Sequence, residues 1–556
     1  MSAEKFFFLP FLFLLQSTFA QIDKGEIKGP FPFKSKIYPG TERSYWLYIP
    51  KQYAGDKPAC LMVVQDGLGC AKGWRLPEVL DSLIATKEVP VMIGVFIEHG
   101  TVSASKQDAF PRYNRSFEYD AMGEKYSDFL MYEILPEVSK NYNISTNPND
   151  RSIAGASSGA ICAFNVAWER PDAFRRVYSS IGTYVGLRGA DEFSTLVRKT
   201  EPKPLRVFLE DGNHDLNIYA GDWWIGNQGM LTALTWAGYE VNHNWGEGGH
   251  ESKHTAVIIA DALKWLWKDY PQSVTTHKGN HKINPTIEGE DWKPVNHGLE
   301  PRKLAVDKSG NLYFSEGKTV YKLDENGNAT PFVELNGGVG GITFGPGDKF
   351  YAGDLTHHKI VEVIGKNIKT LVKRVDANYI TASSKGLYFS LFDKYQIGYF
   401  NFSENKTSYV TLPRAPANPT GLALSAEQTF LNVALDNHVF GYSFAIQDAG
   451  TLAFGQDYIH YHIPYGEERA DSQGMTVDSD NLLYTSTNSG IQISDQLGRV
   501  NFILKKPTPG HSDIKLAGPN FKTLYAVSSG RLYSRKLSAK GVLSWQEPVK
   551  PEKPGL

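Results

Sequence analysis

The chain has 556 residues, 58 Lys and Arg against 60 Asp and Glu, and a formal net charge of −2 at pH 7. That length exceeds what one hydrophobic core serves and implies two or more domains. The near-cancelling charge argues against a nucleic-acid partner or an acidic membrane surface.

The first twenty residues read as a cleaved secretory signal. Met1 to Lys5 supplies one Lys, "FFFLPFLFLL" an apolar run, and "STFA" the small residues before Gln21. The run is shorter than the ~20 apolar residues a membrane span needs. The expectation is an exported product, secreted or periplasmic, with no stable membrane anchor. Three cysteines, Cys60, Cys70 and Cys162, are too few for a disulfide framework. Cys60 and Cys70 flank a strand-like run that would hold them apart, while Cys70 with Cys162 stays open. Buried free thiols are expected.

Residues 21–270 form the first expected domain. "CLMVVQD", "PVMIGVFIE", "RSIAG" and "PLRVFLE" are short continuous apolar runs, the pattern of strands covered on both faces. "EKYSDFLMYEILPEVSKNY" and "HTAVIIADALKWLW" carry apolar residues at helical spacing. Strand–helix alternation of this kind predicts an α/β layer fold with a mostly parallel sheet.

Within it, "RSIAGASSGAICAF" runs from a strand into Gly155-Ala156-Ser157-Ser158-Gly159 and on into a helix. Such a strand–turn–helix is the context of a nucleophile elbow, with Ser157 projecting from the sheet's end and the Ser158 N–H facing a developing oxyanion. A serine hydroxyl needs a base, and that base an acid to hold its tautomer. Asp215, on the loop after "PLRVFLE", and His250, on the loop before the last helix, follow in the order Ser, acid, His. Asp211 and Asp222 are rival acids; His214, His243 and His254 are rival bases, with His243 expected in a strand and His254 on a helix. "VVQDGLGC" offers Gly67 or Leu68 as a second oxyanion donor, the alternative being an ordinary turn. Arg115 and Glu118 in "NRSFEYD", and Trp223 and Trp224 in "GDWWIGNQ", are candidates for a substrate pocket. An Arg115–Glu118 ion pair and helix packing by the two Trp are the competing readings.

Residues 271–299 show no periodicity and read as a linker. From 300 to 546 the texture is strands only, and a unit of roughly forty residues recurs six times, beginning with "KLAVDKSGNLYFSEGKTVYKLDENG". A period of that length with several strands per unit predicts a β-propeller, six-bladed by count, before a tail at 547–556.

"GTERSYWLYIP", "VVQDG", "GASSG", "DGNHD" and "GGH" together resemble the enterochelin esterase and feruloyl or acetyl-xylan esterase family (carbohydrate esterase family 1) over about residues 30–270. The resemblance implies an α/β-hydrolase fold, no cofactor, and a triad falling on Ser157, His250 and Asp215. Its substrates range from acetyl and feruloyl groups on plant polysaccharides to siderophore esters. The second half is similar to senescence-marker-protein/gluconolactonase propellers, whose channel metal is held by a Glu, two Asn and an Asp. Aligned on the "G-N-L-Y" steps, Asn378 matches one Asn. Arg302 stands at the Glu position with Glu300 two residues away, Thr420 at the second Asn, and Gln473 at the Asp with Asp471 two residues earlier. A propeller without metal is the expectation; a register shift bringing in Glu300 and Asp471 would restore the set. The reading is a secreted serine esterase acting on a carbohydrate or small-molecule ester. Its rivals are a metal-dependent lactonase in the propeller and a non-enzymatic glycan-binding protein.

Overall fold

The computed structural model describes residues 23–553 except 297, 366, 393, 414–416 and 511. The expected signal segment, 1–20, lies outside the described residues. Two compact units emerge. The first holds the described residues through Asp191, with Lys203–Thr232 and Tyr239–His277; the second holds Glu192–Pro202, Ala233–Gly238 and the described residues from Lys278 on.

The first unit is built on a ten-stranded sheet: β1 (Glu26–Lys34), β2 (Glu42–Ile49), β3 (Cys60–Gln65), β4 (Met92–Ile97), β5 (Thr101–Val102), β6 (Arg112–Tyr113), β7 (Arg151–Ala156), β8 (Arg176–Ser180), β9 (Arg206–Gly212) and β10 (Glu240–Gly246). The order is β10-β9-β8-β7-β3-β4-β2-β5-β6, with β1 also paired to β2. β10, β9, β8, β7, β3 and β4 run parallel, and β2 joins β4 antiparallel. Every residue of β3, β4, β7 and β9 is buried, which is why β3 and β4 read as apolar runs and β7 and β9 keep an apolar stretch behind an opening arginine. The helix Lys253–Leu266 turns Ile258, Ile259, Ala262, Leu263 and Leu266 onto this sheet, where they pack with Met62, Val64, Trp74 and Leu80.

Two elements differ from the sequence expectation. β8 escapes apolar patterning because only Val177 and Tyr178 stand between Arg176 and two serines, yet the Arg176 side chain is fully buried, donating to the Leu266 carbonyl (2.8 Å) with its guanidinium 4.5 Å from the Trp267 ring centre. The stretch from Glu124 is helical over Lys125–Phe129 and Leu135–Ser139 but widens between them at Leu130–Ile134. Pro136, at the start of Leu135–Ser139, has no N–H to give to that preceding turn. All three cysteines are free.

The second unit is a six-bladed propeller of four-stranded antiparallel sheets spanning 304–334, 339–373, 377–411, 419–460, 475–504 and 512–536. The sixth takes its outermost strand from Lys293–Val295, inside the stretch that sequence texture reads as linker. The recurring "G-N-L-Y" step has a physical basis. Asp307 Oδ1 accepts from the Ser309 and Asn311 N–H groups and its Oδ2 from Tyr313 Oη (3.2 Å). Asp478 repeats this with Asp480, Leu482 and Tyr484 Oη (3.1 Å). Each carboxylate closes the turn between the first two strands of its blade. Among the described residues, no helix is long and apolar enough to cross a membrane.

Candidate active site

Ser157 sits between β7 and the helix Ser158–Glu169 with φ 57° and ψ −121°. A non-glycine residue pays strain there, and the turn persists only because its surroundings fix it. Gly155 is required: a Cβ on it would collide with the Gly159 carbonyl where strand and helix meet. The Ser157 N–H donates to the Ser180 carbonyl (2.9 Å), which pins the turn to β8.

The loops after β9 and β10 are held to each other. A Cβ on Gly212 would collide with the Gly248 carbonyl, Asn213 N donates to Gly246 O (2.9 Å) and His214 N to Gly248 O (3.1 Å). This close approach brings His250 Nδ1 to 2.7 Å from Asp215 Oδ1, and His250 Nε2 lies 2.8 Å from Ser157 Oγ. The Leu216 N–H also donates to Asp215 Oδ1 (2.5 Å). Burial acts to raise the Asp215 carboxyl, but its bonds with His250 and the Leu216 N–H, with Asp211 beside it, outweigh burial and hold it below the ordinary range. Asp211 is pushed up to about 9 by burial and by the adjacent Asp215. A neutral imidazole bonded in this line takes a proton from the hydroxyl at Nε2 while its Nδ1–H stays on the carboxylate.

The rival residues are engaged elsewhere or lie apart. His254 Nδ1 is 2.9 Å from Glu210 Oε1, whose other oxygen accepts from Ser180 and Thr255. His243 lies on β10, and His214 Nδ1 meets the Glu247 carbonyl. Asp222 accepts from Asn217 and Ile225. Sequence reasoning missed Thr183, whose hydroxyl lies 3.3 Å from Ser157 Oγ and accepts from Trp223 Nε1 (3.2 Å). No motif marks it, since it reaches the site only through the turn after β8.

The proposed pocket residues are corrected in part. Glu118 is 1 % exposed and bonds Arg43 through both oxygens, so it has no surface to offer a substrate. Its partner is Arg43, not Arg115. Arg115 holds Asp66 with two bonds (2.7 and 2.8 Å) and reaches the Ala156 carbonyl (3.2 Å). It therefore ties the turn before Gly67 to the turn before Ser157. Trp223 is buried with its ring edge-on to His250 at 5.9 Å, so it packs the site rather than presenting a face. Trp224 is half-buried against Trp245. Gly67 and Leu68 open the helix Gly67–Gly73, and Ser158 opens the helix after the elbow. First-turn N–H groups have no partner within their own helix.

In the propeller, Asn378 is half-buried on the inner strand Ala377–Ala382. The channel beside it is lined by Lys303 and Lys515, with Asp513 as the acid among its lining residues. Asp513 accepts from the Leu304 and Ile514 N–H groups, and the Lys303 ammonium lies 3.3 Å from the Tyr379 ring centre. Thr420 donates to the Ser472 carbonyl. Two ammonium groups beside one carboxylate do not fit a divalent cation, which asks for several anionic or carbonyl oxygens.

A mostly parallel sheet with a serine on the sharp turn after a central strand is the arrangement of an α/β-hydrolase nucleophile elbow. Residues 37–269, less than half of the chain, match the model of a family described as "Putative esterase". An uncharacterized protein of Bacillus subtilis (strain 168) is 25% identical over 176 residues, 31% of this chain and 69% of that one. The iron(III) enterobactin esterase of Dickeya dadantii (strain 3937) is 26% identical over 253 residues, 42% of this chain and 54% of its own length. Among solved structures, a gluconolactonase from Xanthomonas campestris is 15% identical, covering 46% of this chain and 91% of its own, with a TM-score of 0.39.

Proposed function

We propose that this is an exported serine esterase that removes an acyl group, acetyl or feruloyl, from a carbohydrate, with a propeller that takes no part in the chemistry. The observation that carries the reading is the continuous line Ser157 Oγ–His250 Nε2 (2.8 Å) and His250 Nδ1–Asp215 Oδ1 (2.7 Å) on a strained elbow. Ser157 Oγ attacks the acyl carbon while its proton passes to His250 Nε2. That proton then leaves on the alcohol, and the acyl group stays on Ser157. Water, deprotonated by the same imidazole, releases the acid and restores the serine. The Ser158 N–H, with that of Gly67 or Leu68, holds the oxyanion. The segment leaving Asp215 carries exposed Leu216, Ile218 and Tyr219, an apolar lip suited to a bulky acyl group or a sugar face.

The Dickeya dadantii relative supports a second reading, an enterobactin-type ester as substrate. The test is hydrolysis of p-nitrophenyl acetate, methyl ferulate and enterobactin by wild type and Ser157→Ala, each with and without EDTA. The reading expects activity that is lost in the variant and indifferent to EDTA, with the preferred ester naming the acyl class. Activity that survives Ser157→Ala and dies with EDTA would move the chemistry out of this site.

A further inference from the structure

On the fourth blade of the propeller the strands Phe430–Leu435, Phe440–Ile446 and Leu452–His460 lie side by side. Asn432 is in register with Ser443, and Ser443 with Gln456. Paired side chains lie about 5 Å apart on one face of a sheet, so these three form a row of hydrogen-bonding groups. Among the described residues, none of the three side chains bonds another protein group. The row lies in a cleft of about 260 Å³, bordered by Phe430, Phe454 and Tyr458 and closed on its other side by residues of the 475–504 blade.

Phe454 is the unusual member. It takes φ 50° within a strand, where the register shifts, and its ring is 82 % exposed. A bulky residue pays strain in that region and exposed apolar area besides, a combination that packing does not explain. Phe430 and Tyr458 are exposed beside it at 47 % and 37 %. Asp495 is the single charged residue on the lining, and its carboxylate is taken up by Arg499 at 2.8 and 2.7 Å. The cleft thus offers flat apolar rings and uncommitted amide and hydroxyl groups, with no free charge.

We propose that this cleft is a binding site for a neutral oligosaccharide, one whose sugar rings stack their C–H faces on Phe454 and its neighbours while their rim hydroxyls bond Asn432, Ser443 and Gln456. A pyranose with equatorial hydroxyls carries both surfaces at once, which a lipid or a charged metabolite does not. The site lies on the propeller and stands whether or not Ser157 is the nucleophile.

The test is isothermal titration of the full chain carrying Ser157→Ala, to prevent turnover, with xylohexaose, cellohexaose and mannohexaose. At least one is expected to bind, and adding Phe454→Ala should weaken it about tenfold or more. Gln456→Ala supplies a second, polar variant that should also weaken binding. Each variant should keep its melting temperature, and in a background with Ser157 intact each should keep its rate on p-nitrophenyl acetate. Absence of binding by all three sugars at millimolar concentration would overturn the proposal. So would binding that Phe454→Ala and Gln456→Ala leave unchanged.

Discussion

Asp211 and Asp215 each bury one carboxyl oxygen, Oδ2, that bonds no other described protein group, and the two titrate apart: burial and the neighbouring Asp215 push Asp211 up to about 9, while Asp215 is held below the ordinary range. A carboxyl pushed that high keeps its proton at neutral pH, next to the carboxylate that faces His250. The acid of the site rests on a second, neutral acid.

A pH-dependent stability difference follows. An Asp whose folded value lies above its unfolded one binds more protons in the folded state, so its contribution to stability falls as pH rises between the two. Here that window runs from about 4 to about 9. Asn keeps an N–H donor toward Asp215 without the ionisable proton. Asp211→Asn should match wild type in melting temperature at pH 4 and exceed it progressively toward pH 9. Parallel melting curves across this range would contradict the assignment.

Asp215→Asn should lower kcat on p-nitrophenyl acetate by about 10⁴-fold with little change in KM, because the amide favours the wrong imidazole tautomer. Asp222→Asn, a change to a rival acid that bonds Asn217 and Ile225 instead, should leave kcat within twofold to threefold of wild type. Steady-state kinetics of the two variants decide between the acids.

Trp223 and Thr183 offer a structural counterpart. Thr183→Val keeps the volume but leaves the Trp223 indole N–H, 3 % exposed as a residue, without its acceptor. The cost should be ~1–3 kcal/mol in urea unfolding, accompanied by a fall in kcat because Ser157 Oγ loses a neighbour at 3.3 Å. Thr183→Ser, which retains the hydroxyl, should recover most of both.

Gly155→Ala tests the elbow itself. Its methyl group would press on the Gly159 carbonyl, a backbone atom that no side-chain rotation relieves. A loss of about 3 kcal/mol or more is expected, read as a lowered denaturation midpoint, with esterase activity falling in the residual folded fraction.

Much of the fold was legible in the sequence because local patterning carries it. Strands covered on both faces are rich in apolar residues, so the apolar stretches of β3, β4, β7 and β9 announce them. Two of the blades repeat one turn because Asp307 and Asp478 each need the same few residues around them. β8 was hidden because only Val177 and Tyr178 in it are apolar, and its opening arginine is satisfied by carbonyls and a ring distant in the chain. The pocket residues went astray for a similar reason. Nothing in "NRSFEYD" reveals that Glu118 meets Arg43 or that Arg115 meets Asp66, since both partners lie many residues away.

The sequence by itself determined the α/β layer followed by six repeated strand units, the serine between a strand and a helix, and the set of acids and imidazoles from which a partner could come. Only the tertiary structure decided which of them meet. Asp215, His250 and Ser157 stand on three loops, and their distances depend on the close approach of Gly212 to Gly248 and the pinning of Ser157 to β8. Those are contacts between backbones, and a one-dimensional pattern of side-chain types carries no record of them.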